Sequence, residues 1–116
     1  MDLIYRNEYG AIYSIESVSN PNCSHQLIIG SIGIYMSLKE LSYLLDIVES
    51  CQYPCHCDNC QGKIPDKIFF PNGNSEMCLH IDPFILADLE DLIKQTQFEL
   101  NITQTLKGFK IRRHHF

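Results

Sequence analysis

Apolar positions along the chain switch between a period of two and a period near 3.6, and they do so twice. Residues 3–18 read as strands around a turn at Glu8-Tyr9-Gly10-Ala11. The run Ala11-Ile12-Tyr13-Ser14-Ile15 is rich in β-branched and aromatic residues, with Ile12 and Ser14 on one face and Tyr13 and Ile15 on the other. After the turn-forming Ser19-Asn20-Pro21-Asn22, the segment 27–36 reads as two short strands around Gly30-Ser31, with Ile32, Ile34 and Met36 pointing inward. Ser37 and Glu40 then form an S-x-x-E capping box, because a hydroxyl and a carboxylate three residues apart satisfy each other's free amides. The helix it opens carries Leu38, Leu41, Leu44, Leu45 and Val48 on one face and ends near Cys51, ahead of Pro54.

The plan then repeats. Lys67-Ile68-Phe69-Phe70 and Met77-Cys78-Leu79-His80-Ile81 read as a strand pair around Pro71-Asn72-Gly73-Asn74. Asp82 caps a second helix with Pro83 at its first position and Leu86, Leu89, Leu92, Ile93 and Thr96 as its apolar stripe. Glu90 and Lys94 pair at i, i+4, and Asp88, Glu90 and Asp91 together read as a solvated acidic face rather than an acid/base pair. At an offset of 45, Ile32, Ile34 and Met36 fall on Met77, Leu79 and Ile81, Ser37 falls on Asp82, and Leu41, Leu44, Ile47 and Val48 fall on Leu86, Leu89, Leu92 and Ile93. A structural duplication and a chance agreement of apolar periods both produce such a register; the matching caps favour duplication.

The expected fold is therefore α+β: a mostly antiparallel sheet covered on one face by two helices. Two similar ββα halves, at about 23–51 and 65–100, would be joined by a Cys-rich connector at 51–64, within a single domain 1–116. Phe109-Lys110-Ile111-Arg112 alternates apolar and basic, so the basic tail 107–116 reads as a final strand or an ordered tail, with His114-His115 frayed.

Composition adds limits. A 45% hydrophobic and 20% charged chain is ordinary for a globular protein. The opening Met1-Asp2-Leu3-Ile4 lacks the basic and apolar regions of an export signal, so a cytoplasmic location is expected, as is the absence of a membrane anchor. All 14 acids lie at or before Glu99, while four of the nine bases lie in 107–116. An acidic body disfavours nucleic acid as a partner, since phosphate binding needs a basic footprint.

The six cysteines read as thiols or metal ligands rather than disulfides in a reducing compartment. Cys51, Cys55, Cys57 and Cys60 fall within ten residues, and Cys57-x-x-Cys60-x-Gly62 has the form of a zinc knuckle. Four thiolates would close a tetrahedral shell around one structural zinc. The short gap between Cys51/Cys55 and Cys57/Cys60 is tight for one ion, so Cys23, His25, His56, Cys78 or His80 are possible substitutes. Unligated thiols packed as small hydrophobes and a redox disulfide remain open beside the metal. No motif for nucleophilic or nucleotide chemistry is present, and Gly30-Ser31-Ile32-Gly33 reads as a turn rather than a phosphate loop.

From Cys23 to about Leu100, the order Cys23…Gln26-Leu27…Gly30…Ser37-x-x-Glu40…Leu44, followed by a second strand pair and amphipathic helix, resembles a family of short uncharacterised bacterial proteins. The resemblance implies a compact cytoplasmic protein of unknown role and carries over no active-site residue; the Cys51–Cys60 loop departs from it. Three functions stay open: a non-enzymatic binding or regulatory protein with a structural zinc in the central loop, an acidic inhibitor or immunity-like protein that binds a protein partner, and a thiol redox protein using Cys51–Cys60. Self-association along a free strand edge is a further expectation.

Overall fold

The computed structural model describes residues 2–15, 24–52, 58–59, 66–73 and 75–113, the last ten of these by backbone alone. Six strands and two helices make an α+β fold. Strands β1 (Asp2–Arg6), β2 (Ala11–Ser14), β3 (His25–Ile29) and β4 (Ile32–Met36) form an antiparallel meander in the order β1-β2-β3-β4. Helix α1 (Leu38–Gln52) follows, then the separate hairpin β5 (Lys67–Asn72) and β6 (Ser75–His80), then α2 (Pro83–Arg113). The strands thus divide into a four-stranded and a two-stranded sheet rather than one.

Register explains the core. Tyr5, Ile12, Leu27 and Ile34 stand directly opposite one another across four strands. A bulge at Ile4 in β1 brings Tyr5 into that row, because the extra residue advances the strand's pleat. Ile12, Leu27, Ile34 and Met36 share one buried cluster with Ile68 and Phe70 from the second sheet and Ile81 just after it. Leu41, Leu44, Leu45 and Val48 of α1 close it together with Leu86, Leu89, Leu92 and Ile93 of α2. Two expected core positions lie outside it. Ile32 is 60% exposed beside the Gly30-Ser31 turn, and Leu38 is 46% exposed in the first turn of α1.

The first hairpin turns on Gly30-Ser31, between the paired Ile29 and Ile32, and the second turns at Gly73, between the paired Asn72 and Ser75. Gly30 and Gly73 have φ of 60° and 62°, the left-handed region where a side chain is disfavoured. Both helices begin alike. Ser37 Oγ accepts from Glu40 N at 3.1 Å while Glu40 returns a carboxylate to Ser37 N at 3.1 Å, and Asp82 Oδ1 accepts from Ile85 N at 2.8 Å. The caps and helices agree at the offset of 45, but the turns do not: Gly30 precedes its cap by seven positions and Gly73 by nine.

The helices run antiparallel. Gln52 Nε2 donates to Leu86 O at 3.3 Å, Lys94 lies 3.5 Å from Glu49 and 2.8 Å from Glu90, and Gln97 donates to Ser42 Oγ at 3.2 Å. At 31 residues α2 is twice the length of α1, so its C-terminal turns run on past the start of α1. The helix continues through 107–113, where the sequence suggested a final strand or ordered tail. Four alternating residues carry too short a pattern to set a period, and each residue added to an existing helix gains a hydrogen bond without a new nucleation cost. No described helix is long and apolar enough to cross a membrane.

Candidate functional sites

The first turn-to-helix contact is built by Asn7. Its Oδ1 accepts from Tyr9 N at 3.0 Å and Gly10 N at 3.2 Å, closing the β1–β2 turn. Its Nδ2 donates to Asp88 O at 2.7 Å and to Asp91 Oδ2 at 3.1 Å, and Tyr5 Oη donates to the same carboxylate oxygen at 2.9 Å. The hydrogen bond to Asp91, then burial and the nearby charge, raise the Tyr5 pKa above its ordinary value. A phenol with a raised pKa and a carboxylate oxygen that already accepts from two donors form a clamp, not an acid/base pair. The spacing put Asp88, Glu90 and Asp91 on a solvated face; Asp91 instead fastens the meander to α2. Asn7 carried only a turn signal, since its amide's second partner lies 84 residues away.

The acids of the second helix are occupied in the same way. Glu90 pairs with Lys94 as the i, i+4 spacing predicts, and it also accepts from Gln52 at the end of α1. Glu40 is engaged by Ser37 and by Asn72 Nδ2 at 3.2 Å. Asp82 caps its own helix.

The thiol and imidazole candidates fall into separate environments. Cys51, in the last turn of α1, is half-buried against the core, and that burial raises its thiol pKa. His25 is buried in β3, opposite Met36 and Ser14, with Nδ1 2.8 Å from Ser24 Oγ. Burial lowers its pKa, because an imidazolium there would lose its hydration. Cys78 and His80 share the exposed face of β6, opposite Phe69 and Lys67. Cys78 is thus an exposed thiol rather than a core residue. Cys23, Cys55, His56, Cys57 and Cys60 lie outside the described residues, so the proposed zinc set is placed only at Cys51. Among the described residues no group of three or more metal-ligating side chains converges.

Two open grooves flank Leu100 where α2 leaves the body. One, of about 290 Å³, lies against α1 between Leu38, Leu41, Thr96 and Asn101. The other, of about 400 Å³, lies against β1 between Leu3, Ile4, Glu99 and Thr103. Large apolar side chains are also exposed singly: Phe84 at 83%, Phe98 at 56%, Tyr35 at 54% and Tyr43 at 51%. Helical spacing places Phe84, Phe98 and Ile102 away from the Leu89 and Ile93 that enter the core, with Asp91, which holds Tyr5 and Asn7, between the two phenylalanines on the same side. No family model, curated protein or solved structure matches the chain.

Proposed function

We propose that the chain is a non-enzymatic binding or regulatory domain, with a structural zinc in the connector between α1 and β5. The observation that carries the binding reading is the row on α2, interrupted by the docked Asp91, where Phe84, Phe98 and Ile102 stay exposed while Leu86, Leu89, Leu92 and Ile93 of the same helix are buried. Aromatic residues are enriched at contact surfaces relative to the rest of a protein's surface. An acidic inhibitor finds less support. Asp82, Asp91, Glu40 and Glu90 are each tied to an intramolecular partner, so these four carboxylates are already engaged rather than free to meet a basic target.

The zinc would be held by Cys51, Cys55, Cys57 and Cys60, with Cys23, His25, His56, Cys78 and His80 as substitutes. Support comes from the anchoring of the connector's two ends. Gln52 is bonded to α2, and Asp66 O accepts from Ile81 N at 2.9 Å. A metal would order the chain between those anchors, and its binding would release the proton that burial holds on Cys51. Redox chemistry at Cys51 is disfavoured by the same burial, since the thiolate is the reactive form.

The test is elemental analysis of untagged chain purified without chelator, with a thiol count beside it. About one zinc per chain and fewer reactive thiols than the six present supports the site. No metal and six free thiols removes it. For the binding row, Phe84→Ser and Phe98→Ser should each change stability by less than about 0.5 kcal/mol. A large loss would assign those side chains to packing and sink the reading.

A further inference from the structure

Strand β6 has one strand neighbour, β5, among the described residues. It is β5 that meets the body, through packing on α1 and through Asn72 Nδ2, which donates to Tyr35 O at 2.8 Å. The bond from Ile81 N to Asp66 O fixes the phase of the hairpin ladder. Hydrogen-bonded and non-bonded pairs alternate along an antiparallel ladder, so Ile68–Leu79, Phe70–Met77 and Asn72–Ser75 are the bonded pairs. The backbone N–H and C=O of Glu76, Cys78 and His80 therefore turn away from β5, and all three residues are exposed.

The other sheet edges carry guards. β1 has Asp2, Arg6 and the bulge at Ile4. β4 has its Tyr35 carbonyl taken by Asn72. β5 places Pro71 opposite Glu76, at a position whose N–H would point outward. β6 has no bulge and no proline, and its single formal charge, Glu76, lies four residues from a histidine.

We propose that a second copy of this chain pairs antiparallel along β6, about a two-fold axis through Cys78, joining two hairpins into one four-stranded sheet. This register sets Glu76 of each copy against His80 of the other, twice, and Cys78 against Cys78. On the opposite face it sets Met77, half-buried in one copy, against the equally half-buried Leu79 of the next. The strand is self-complementary in hydrogen-bonding groups and in apolar surface only in this register. A shift of two residues leaves Glu76 without His80 as a partner, and parallel pairing sets Glu76 beside Glu76. Two-fold association of one patch with itself is the commonest route to a dimer. The inference goes beyond the binding reading and uses a different surface from the α2 row, so either can fail alone.

The experiment is sedimentation of the full chain across the micromolar range, reduced and with chelator present so that no metal bridge contributes. A concentration-dependent dimer is expected. Glu76→Lys and His80→Glu should each weaken it by about tenfold, because the first removes the carboxylate acceptor facing His80 and the second sets two carboxylates against one another, each at two symmetric places. The double variant should restore it to within about threefold. In the wild-type dimer, a short bis-maleimide should link Cys78 to Cys78, since directly opposed bonded residues have Cα atoms about 5.5 Å apart. A monomer at every concentration, a dimer lost on adding chelator, or a dimer indifferent to both single variants would each overturn the proposal.

Discussion

The Asp91 Oδ2 atom accepts from Asn7 Nδ2 at 3.1 Å, joining the first turn of the chain to the third turn of its last helix. The same Asn7 side chain uses its oxygen to close the turn, so one residue both shapes the β1–β2 hairpin and docks it. Asn7→Ala removes all of these bonds and leaves the turn amides unpaired. The expected cost is about 2–3 kcal/mol, read as a drop in denaturation midpoint at constant m-value. A cost below about 0.5 kcal/mol would show that the clamp is solvated in solution.

Asp91 also sets the titration of Tyr5. In Asp91→Asn the phenol loses the anionic acceptor that is the main cause of its raised pKa. The Tyr5 ring resonance should then titrate at a lower pH than in the wild type. An unchanged titration would mean that burial, the second cause, is the controlling one.

Gly10 packs its α-carbon against the backbone of β3. A Cβ built there overlaps the carbonyl oxygen of Ile28, a backbone atom fixed by the sheet. Gly10→Ala should cost about 1–3 kcal/mol. Gly33→Ala is the control, because its Cβ would meet only the end of the flexible Gln26 side chain. Equal losses at both positions would argue against a steric cause at Gly10.

His25 gives stability a pH dependence of known sign. Its pKa in the folded chain is below 6.5, so on acidification the unfolded chain takes up the proton first. Stability should hold above about pH 6.5 and fall below it until the folded imidazole also protonates. His25→Phe should flatten that part of the profile, compared by denaturant titrations at several pH values. A profile unchanged by the substitution would assign the slope to the carboxylates.

The two N-caps should behave as independent equivalents. Ser37→Ala and Asp82→Ala each remove a side-chain acceptor from a first-turn amide, at about 1 kcal/mol apiece. They sit on different helices, so the double variant should lose about the sum. A clear departure from additivity would reveal coupling between the two helix starts.

How far the sequence could be read follows from the range of each interaction. The capping box at Ser37 and Glu40, the cap at Asp82 and the stripe Leu86-Leu89-Leu92-Ile93 are local patterns, and each stands as the spacing predicts. Thr96 is buried because its hydroxyl returns to Leu92 O at 2.7 Å, so the polar atom costs the core nothing. What stayed hidden depends on partners far along the chain. The docking of Asn7 on α2 and the division of the strands into two sheets have no local signature. Ile32 and Leu38 matched their periods but sit where an element begins, at the rim of the core. Of the proposed zinc ligands only Cys51 is placed, and its burial is a property of the α1–core contact rather than of the cysteine spacing.

The unequal spans from turn to cap constrain how this chain can vary. The span from glycine to cap is two residues longer in the second hairpin, and its apolar side chains still face the core because two is one full period of a pleat. A change of one residue in either span would invert every side chain between glycine and cap, sending Met77 and Leu79, or Ile34 and Met36, to the outer face. Length changes in these strands are therefore expected to be even in number. That parity rule applies equally to variants of this chain and to any engineered insertion at the two turns.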